Sequence, residues 1–360
     1  MKEKIKSLHK NTKNNLVTYG MVILIYAVVQ LLSFSGGLSN LMEGLLVPIC
    51  TYVILAVSLN LTVGILGELS LGHAGFMCIG AFSSALFSKC MENIITISGI
   101  RFFLAILIGA IVAGFFGFLI GIPVLRLRGD YLAIVTLAFG EIIKNVINVI
   151  YLGRDNAGIH LAMKDQMSLG MAPDGELLIK GPQGITGTPN DSTFTIGVVL
   201  ILLTVFIITN LLNSRTGRAV TSIRDNRIAA ESIGINITKY KLITFSVSAA
   251  LAGVAGVLYA HNLPTLAAQP KNFGYNMSIM ILVFVVLGGM GNIRGSIISA
   301  VLLTLLPEVL RGLSDYRMLI YAIILIAMMI YNWSPAFIGF RKRYLSREAF
   351  KDNFGKKKEA

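Results

Sequence analysis

Three polar side chains stand at helical spacing inside one apolar segment, where they could line a polar pathway. Glu141, Asn145 and Asn148 follow one another at intervals of four and three residues within the apolar run 131–151, so a helix would carry all three on one face. If the run crosses a membrane, Glu141 lies near the midplane, where a charge costs about 2.5–3.5 kcal/mol. Lining of a pathway is one interpretation, and a structural ion pair between Glu141 and Lys144 is the other.

A second candidate group occupies the glycine-rich segment GELSLGHAGF at residues 67–76. Glycines at positions 64, 67, 72 and 75 disfavour one continuous helix, and Glu68 and His73 lie beside them. A broken or re-entrant segment would place these two polar groups at a translocation interface. The alternative is a short cytoplasmic turn between two helices, in which His73 is hydrogen-bonded and inert. The residue pattern favours neither.

The polar segment 214–240 is the third candidate, because its middle has the pattern of a short helix. Ser222 and Asp225 resemble a capping box, and the Ala-Ala-Glu sequence at 229–231 favours a helix. Gly234 can supply the left-handed conformation with which helices end. These signals predict a short helix between two apolar runs.

One face of this predicted helix is apolar. Ile223, Ala230 and Ile233 are spaced by seven and then three residues, so we expect them on the same side. Small residues that permit close approach, next to a charged flank, suit docking against a soluble partner. A solvated loop at the membrane surface is the alternative interpretation.

Motifs for catalysis, metal binding or nucleotide binding are absent from the sequence. The stretch LGGMGNIRGS at 287–296 lacks the spacing and the lysine of a phosphate-binding loop. The four histidines, at positions 9, 73, 160 and 261, show no metal-ligand spacing, and the three cysteines form no CxxC pair. The sequence therefore predicts no enzyme, no cofactor and no metal site.

The composition predicts the elements that must position these residues. Of the 360 residues, 55% are apolar and 14% are charged, whereas soluble domains carry about 25% charged residues. Apolar segments of membrane-spanning length recur along the chain, at about 16–34, 44–66, 74–90, 102–125, 131–151, 194–213, 241–260, 276–292, 296–311 and 318–337. We therefore predict an all-α, polytopic integral membrane protein with about ten transmembrane helices. The stretch 276–311 can be counted as two short spans or as one broken span.

The distribution of Lys and Arg predicts the orientation. With the N-terminus in the cytoplasm, 22 of the 31 Lys and Arg residues fall on the inside, which agrees with the positive-inside rule. Both termini are then cytoplasmic, as basic tails at 1–15 and 339–360 around a transmembrane domain at 16–338. The segment 152–193 becomes an extracytoplasmic loop and 214–240 a cytoplasmic loop. The net charge of +13 thus indicates topology and not a nucleic-acid partner.

Four ordered motifs resemble one family. The stretch RDNRIAAESIGINITKYKLITFSVSAALAGVAGVLYA at 224–260 is similar to the signature region of the membrane subunits of branched-chain amino-acid ABC importers, the LivM-type permeases. The segments 67–82, 128–143 and 287–300 resemble the same family in the same order. The resemblance extends from about residue 40 to about residue 335. It implies a multi-pass permease of the bacterial cell membrane.

The resemblance implies a role for the cytoplasmic loop. Residues 224–236 correspond to the coupling helix that a separate ATPase subunit grips, although the order here is Ala-Ala-Glu where related permeases have Glu-Ala-Ala. The coupling residues that it implies are Arg224, Asp225, Ala229, Ala230, Glu231 and Gly234.

Further partners and the substrate are implied in the same way. We expect ABC ATPase subunits, a second homologous permease subunit and an extracytoplasmic substrate-binding protein, for which the 152–193 loop is a candidate docking surface. Leucine, isoleucine and valine are the expected substrates, and related permeases carry urea or another small solute. An ion-coupled secondary transporter that uses Glu141 or Glu68 is the alternative from a different class, and a structural membrane protein is the third.

Overall fold

A computed structural model describes residues 2–37, 39–127, 129–155, 158–171, 175–313 and 316–333, with the side chains of residues 2–14, 312–313, 317–318, 321, 328 and 331–333 excepted. The predicted tail at 339–360 lies outside the described residues, and so do the side chains of nearly all of the predicted tail at 1–15. The chain divides into two compact units, Met1–Ala300 and Val301–Ala360.

The first unit is a helical bundle. Its helices are α1 (Lys2–Phe34), α2 (Asn40–Asn60), α3 (His73–Cys90), α4 (Ser98–Val124), α5 (Asp130–Val149), α6 (Phe194–Asn213), α7 (Arg215–Asp225), α8 (Arg227–Ser232), α9 (Ile237–Ala260), α10 (Pro270–Phe273), α11 (Tyr275–Gly288) and the start of α12 (Ile293–Val309). A π-helical turn, Leu61–Leu66, continues α2. The second unit contains the end of α12, a 3-10 turn at Leu310–Leu313 and α13 (Arg317–Trp333).

Among the described residues, seven helices are long and apolar enough to cross a membrane. Their spans are 15–34, 40–66, 98–124, 130–149, 194–213, 237–260 and 270–288. The helices α3, α12 and α13 coincide with the other three apolar segments of the sequence. The prediction of a polytopic helical membrane protein is confirmed, while the number ten and the orientation stay predictions. The stretch 276–311 forms two helices, which separate after Gly288.

Small residues determine which face of α4 is buried. Every fourth position from 105 to 121 is Gly or Ala, and all of these positions are buried. They lie against α9, where Cβ atoms added at Gly117 or Gly253 would clash with Ala249 or Ala113. Such close approach gives van der Waals contact between the two helices. Inside a lipid bilayer this contact drives helix association, because burial of apolar area against another helix gains nothing over contact with lipid. The opposite face carries exposed Phe103, among other large apolar residues, and suits contact with lipid.

The 152–193 segment contains strands, so the all-α prediction is wrong there. Strands β1 (Tyr151–Asp155), β2 (Gly158–Ala162) and β3 (Glu176–Lys180) form an antiparallel sheet in the order β2-β1-β3. The two-residue strands β4 (Ile185–Thr186) and β5 (Thr265–Leu266) pair with each other in a second antiparallel sheet. Gly, Pro and Asp interrupt helices in this segment, so pairing between strands satisfies the backbone groups instead.

Two ion pairs connect this segment to the bundle. Lys89 of α3 lies 3.3 Å from Glu176 of β3, and Arg101 of α4 lies 3.3 Å from Asp191. The helix α6 begins directly after the segment and ends at the 214–240 loop. A helix of 20 residues is about 30 Å long, so the sheets and the 214–240 loop lie at opposite ends of α6.

Candidate functional site

The 214–240 loop folds as two short helices that meet at Asn226. The Asn226 side chain accepts a hydrogen bond from the Ala229 backbone N–H at 3.0 Å and caps α8. The prediction of a capping box at Ser222 and Asp225 is wrong, because α7 begins earlier than expected and includes both residues. The Ser222 hydroxyl instead donates to a backbone carbonyl of α7, that of Ala219.

Gly234 has the conformation expected of it, with φ of +83° two residues after the last residue of α8. Because α8 ends at Ser232, helical spacing no longer governs the residues that follow. Ile233 is therefore 73% exposed, and its predicted place on the apolar face is wrong. Ile237 takes that place and forms a small core with Ile223 and Ala230.

The opposite surface of α8 is exposed and partly apolar. Ile228 is 81% exposed, and Ala229 and Glu231 are exposed as well. Isolated exposed apolar residues are ordinary. Here Ile228 and Ile233 lie on both sides of a single carboxylate, on a loop outside the membrane-spanning helices.

Arg224 joins α7 to the end of α2. Its Nη1 donates to the Gly64 carbonyl at 3.3 Å, and its Nε and Nη2 donate to Asp225 Oδ1 at 3.2 and 3.0 Å. Gly67 has φ of +80°, and a Cβ there would lie 2.9 Å from Arg224 Cγ. The coupling-loop candidate Arg224 is thus in contact with the glycine-rich segment that contains Glu68 and His73, and Asp225 is in contact with Arg224.

A second glycine-rich turn meets the same place. The Gly291 N–H, between α11 and α12, donates to Asn60 Oδ1 at 2.8 Å. Gly64 packs so closely on Gly291 that a Cβ at position 64 would lie 2.9 Å from the Gly291 Cα. Three segments that sequence reasoning treated separately therefore meet at one end of the bundle. We call this meeting point, residues 60–67, 224 and 289–292, the glycine junction.

Glu68 and His73 both have buried partners. Glu68 forms an ion pair with Lys241 of α9, whose side chain is 4% exposed. His73 Nε2 lies 2.7 Å from the Ser58 hydroxyl and is part of a residue that is 2% exposed. The segment between the π-helical turn and α3 packs against Thr136 of α5, whose hydroxyl accepts from the Leu71 N–H. The chain is thus broken here, and the side chains of Glu68 and His73 have partners inside the protein.

The α5 candidates do not act as one surface. Glu141 forms the predicted ion pair with Lys144, and its second oxygen accepts from the Tyr275 N–H at 2.7 Å. Asn148 donates to the Ala268 carbonyl at 3.0 Å. Asn145 is exposed and lines an apolar cavity of about 390 Å³ together with residues of the same helix and Met163.

Sequence reasoning missed several of these partners. Asn226, Ser58 and Lys241 are ordinary residues in the sequence, and only the fold pairs them with the residues that sequence analysis selected. Asn226 alone carried a usable signal, because Asn is a preferred N-cap and stands three residues before Ala229. Within the described residues, no three His, Cys, Asp or Glu side chains are grouped as metal ligands.

The fold and this site define a polytopic membrane protein with a helical loop seated on a break between its spans. Comparison with known proteins agrees with the class. The family model for the permease component of branched-chain amino acid transport systems matches residues 41–330. The chain therefore belongs to the branched-chain amino acid transport system permease family, and the predictions of this family and of a multi-pass membrane location are confirmed.

Individual relatives support the assignment. The chain is 35% identical to the high-affinity branched-chain amino acid transport system permease protein LivM of Salmonella typhimurium, over 88% of this chain and 73% of that protein. It is 36% identical to the LivM protein of Escherichia coli, over 79% of this chain and 66% of that protein. A ribose import permease of E. coli, RbsC, is 33% identical over 33% of the chain and 40% of its own length. No solved structure matches.

Proposed function

We propose that the protein is the membrane-spanning permease subunit of an ATP-driven ABC importer for branched-chain amino acids. The substrates are leucine, isoleucine and valine, delivered by an extracytoplasmic binding protein. Separate ATPase subunits hydrolyse ATP, and a second homologous permease subunit completes the pathway. The names of the LivM relatives support the substrate class.

One observation carries the ATP-driven mechanism: α7 is seated on the glycine junction through Arg224, and α8 follows α7 directly. Their inner face packs on Ile237 of α9 and their outer face exposes Ile228, Glu231 and Ile233. An ATPase subunit that covers the outer face would move α7, and Arg224 would carry this movement to the end of α2. Burial of Ile228 and Ile233 would contribute apolar contact on both sides of Glu231.

The paired carboxylates argue against an ion-coupled transporter. Glu68 is neutralised by Lys241 and Glu141 by Lys144, so neither is an unpaired charge that awaits a cation. A secondary transporter would also have no need of α8. The proposal predicts that the purified chain alone, in liposomes with an imposed ion gradient, moves no leucine.

Replacement of the outer face of α8 tests the coupling. We expect Ile228→Asp to abolish co-purification with the ATPase subunits encoded by the same organism, because it places a charge in the proposed apolar contact. Lys239→Asp is the control, since Lys239 is exposed on the neighbouring helix. ATP-dependent leucine uptake in proteoliposomes that is unchanged by Ile228→Asp would contradict the proposal. Replacement of both Glu231 and Gly234 is expected to reduce uptake while the chain still inserts.

The outer sheet provides the test for the binding protein. We propose that the 152–193 segment forms part of the surface on which a binding protein docks. Met167 is 94% exposed and Ile159 is 72% exposed, both outside the bundle. Met167→Asp combined with Ile159→Asp should weaken capture of the leucine-loaded binding protein, whereas ATPase co-purification should stay normal. Equal loss of both partners would indicate misfolding and would be recognised by gel filtration.

A further inference from the structure

A cavity of about 380 Å³ opens where three membrane-spanning helices end. Its wall includes Asn15 at the start of the α1 span, Ile65 in the π-helical turn and Asn213 at the end of α6. Asn15 is the first residue of its span, Ile65 is the last but one of its span, and Asn213 is the last of its span. The cavity therefore lies at the boundary between the hydrocarbon core and the headgroup region of the bilayer. Thr221 and Arg224 of α7 belong to the same wall.

Hydrogen-bond donors remain available in this wall. A guanidinium has five N–H donors, and Arg224 uses three of them on Gly64 and Asp225. Its side chain is 41% exposed. The side-chain amides of Asn15 and Asn213 have no hydrogen-bond partner among the residues that the structure describes.

The surroundings of the cavity are positively charged on one side and apolar on another. Arg218 Nη1 donates to the Asn213 carbonyl at 3.1 Å. Arg294 Nε donates at 2.7 Å to the Thr18 hydroxyl, one helical turn from Asn15. Arg224 lines the cavity itself. Arg218 is bonded to Asn213 of the wall and Arg294 directly follows Ile293 of the wall, so two further guanidinium groups lie next to the cavity. Asp225 is the carboxylate in contact with Arg224. Ile65, Leu212 and Ile293 form the apolar part of the wall.

We propose that this cavity binds the phosphate headgroup of an anionic phospholipid. Guanidinium groups form strong, charge-assisted hydrogen bonds with phosphate, and basic pockets between transmembrane helices suit anionic headgroups. The apolar wall would contact the first carbons of an acyl chain, and the two asparagine amides would donate to the glycerol and phosphate oxygens. The lipid would touch α1, the π-helical turn, α6 and α7 together. The proposal concerns the chain alone and holds whatever solute it carries.

The test uses the purified full chain in nanodiscs that contain phosphatidylglycerol and phosphatidylcholine in equal amounts. Native mass spectrometry measures the lipid that stays bound after release from the disc. We expect the wild-type chain to retain phosphatidylglycerol in preference to phosphatidylcholine. The amount of phosphatidylglycerol retained by the variant Arg224→Gln/Arg294→Gln should be lower by a factor of about ten or more. The reason is that each lost hydrogen bond to a charged group is worth about a factor of ten in affinity.

Two further variants separate a specific site from general attraction. The control Arg215→Gln/Lys239→Gln removes the same charge from exposed positions of the same loop that do not line the cavity, and it should retain lipid normally. Thr221→Trp keeps every charge but fills the cavity, and it should lose the retained lipid. Thr221→Trp also tests the cavity if the arginine variant does not fold.

Three results would overturn the proposal. Equal loss of lipid in the arginine variant and its control would mean that only the net charge of the loop attracts lipid. Normal retention in a folded Thr221→Trp variant would place the lipid elsewhere. Retention of inorganic phosphate without any preference for phosphatidylglycerol would assign the cavity to a soluble anion. None of these measurements uses an ATPase or a substrate, so their outcome is independent of the proposed transport function.

Discussion

The contact between Gly64 and Gly291 gives the sharpest test of the glycine junction. The substitution Gly64→Ala adds one methyl group at a position where the nearest atoms belong to the backbone of Gly291 and to the Asn60 side chain. The chain supplies its own control in the same helix. Gly44 of α2 has no atom within 4 Å of an added Cβ, so Gly44→Ala makes the same chemical change in open space.

The magnitude follows from two opposing effects. Alanine in place of glycine stabilises a helical position by about 0.5–1 kcal/mol, and Gly44→Ala should show this gain or no change. At Gly64 the methyl group overpacks the junction, which costs about 1–3 kcal/mol. It also displaces the Asn60 Oδ1 that accepts from the Gly291 N–H, which costs about 1 kcal/mol more. The net loss for Gly64→Ala is about 1–3 kcal/mol.

Thermal unfolding of both variants in the same detergent measures the difference. We expect the Tm of Gly64→Ala to fall by several degrees, while that of Gly44→Ala stays equal to the wild type or rises. Uptake by Gly64→Ala, measured well below its Tm, should fall as well if the junction moves during transport. Equal Tm values for the two variants would refute the reasoning, because they would show that residues 64 and 291 are not in contact.

Three further predictions concern single interactions. Glu68→Gln leaves the Lys241 ammonium buried without its partner and should cost about 3 kcal/mol, whereas Glu68→Gln/Lys241→Met should restore most of the loss; equal Tm values for the single and double variants would contradict this. Asn226→Ala removes the cap of α8 and should cost about 1 kcal/mol, with weaker retention of the ATPase in co-purification. Burial lowers the pKa of the His261 imidazole, which follows α9, below its ordinary value, against smaller upward effects of its hydrogen bond to the Val257 carbonyl and of Asp191. The unfolded chain then takes up the proton more readily than the folded chain, so the contribution of His261 to stability should be full above about pH 6.5 and fall as the pH drops below it. Measurements of Tm between about pH 7.5 and about pH 5 should show this fall, and His261→Gln should reduce it.

The positions and lengths of the apolar runs were sufficient to predict where the helices lie. Each predicted apolar segment coincides with a helix, because a run of about 20 apolar residues has few other stable conformations in a bilayer. The strands at 151–186 were missed for the complementary reason. Short strands outside the membrane are stabilised by pairing with distant residues, as β4 with β5, and no local pattern records such pairing.

Some pairs of polar groups could likewise be predicted from the sequence, and others could not. The ion pair between Glu141 and Lys144 could be predicted, because three residues along a helix bring two side chains together. The pairs Glu68 with Lys241 and Ser58 with His73 could not, since their partners come from other helices. The capping box failed for a local reason. Ser222 and Asn226 both stand before helix-forming residues, and the earlier start of α7 decides which of them caps α8.

The contacts of α7 restrict where a displacement of the 214–240 loop can go. Arg224 is bonded to Gly64, and Gly64 touches Gly291, so a shift of α7 must move the π-helical turn or the break before α12. Both places are glycine backbone with positive φ nearby, at Gly67 and Gly291, and such backbone changes conformation without a steric penalty. The α4 and α9 pair is different, because methyl groups and backbone interlock along its length. A movement that enters at α7 is therefore expected to pass into α2 and α11, and through Ile237 to the start of α9, without separating α4 from α9.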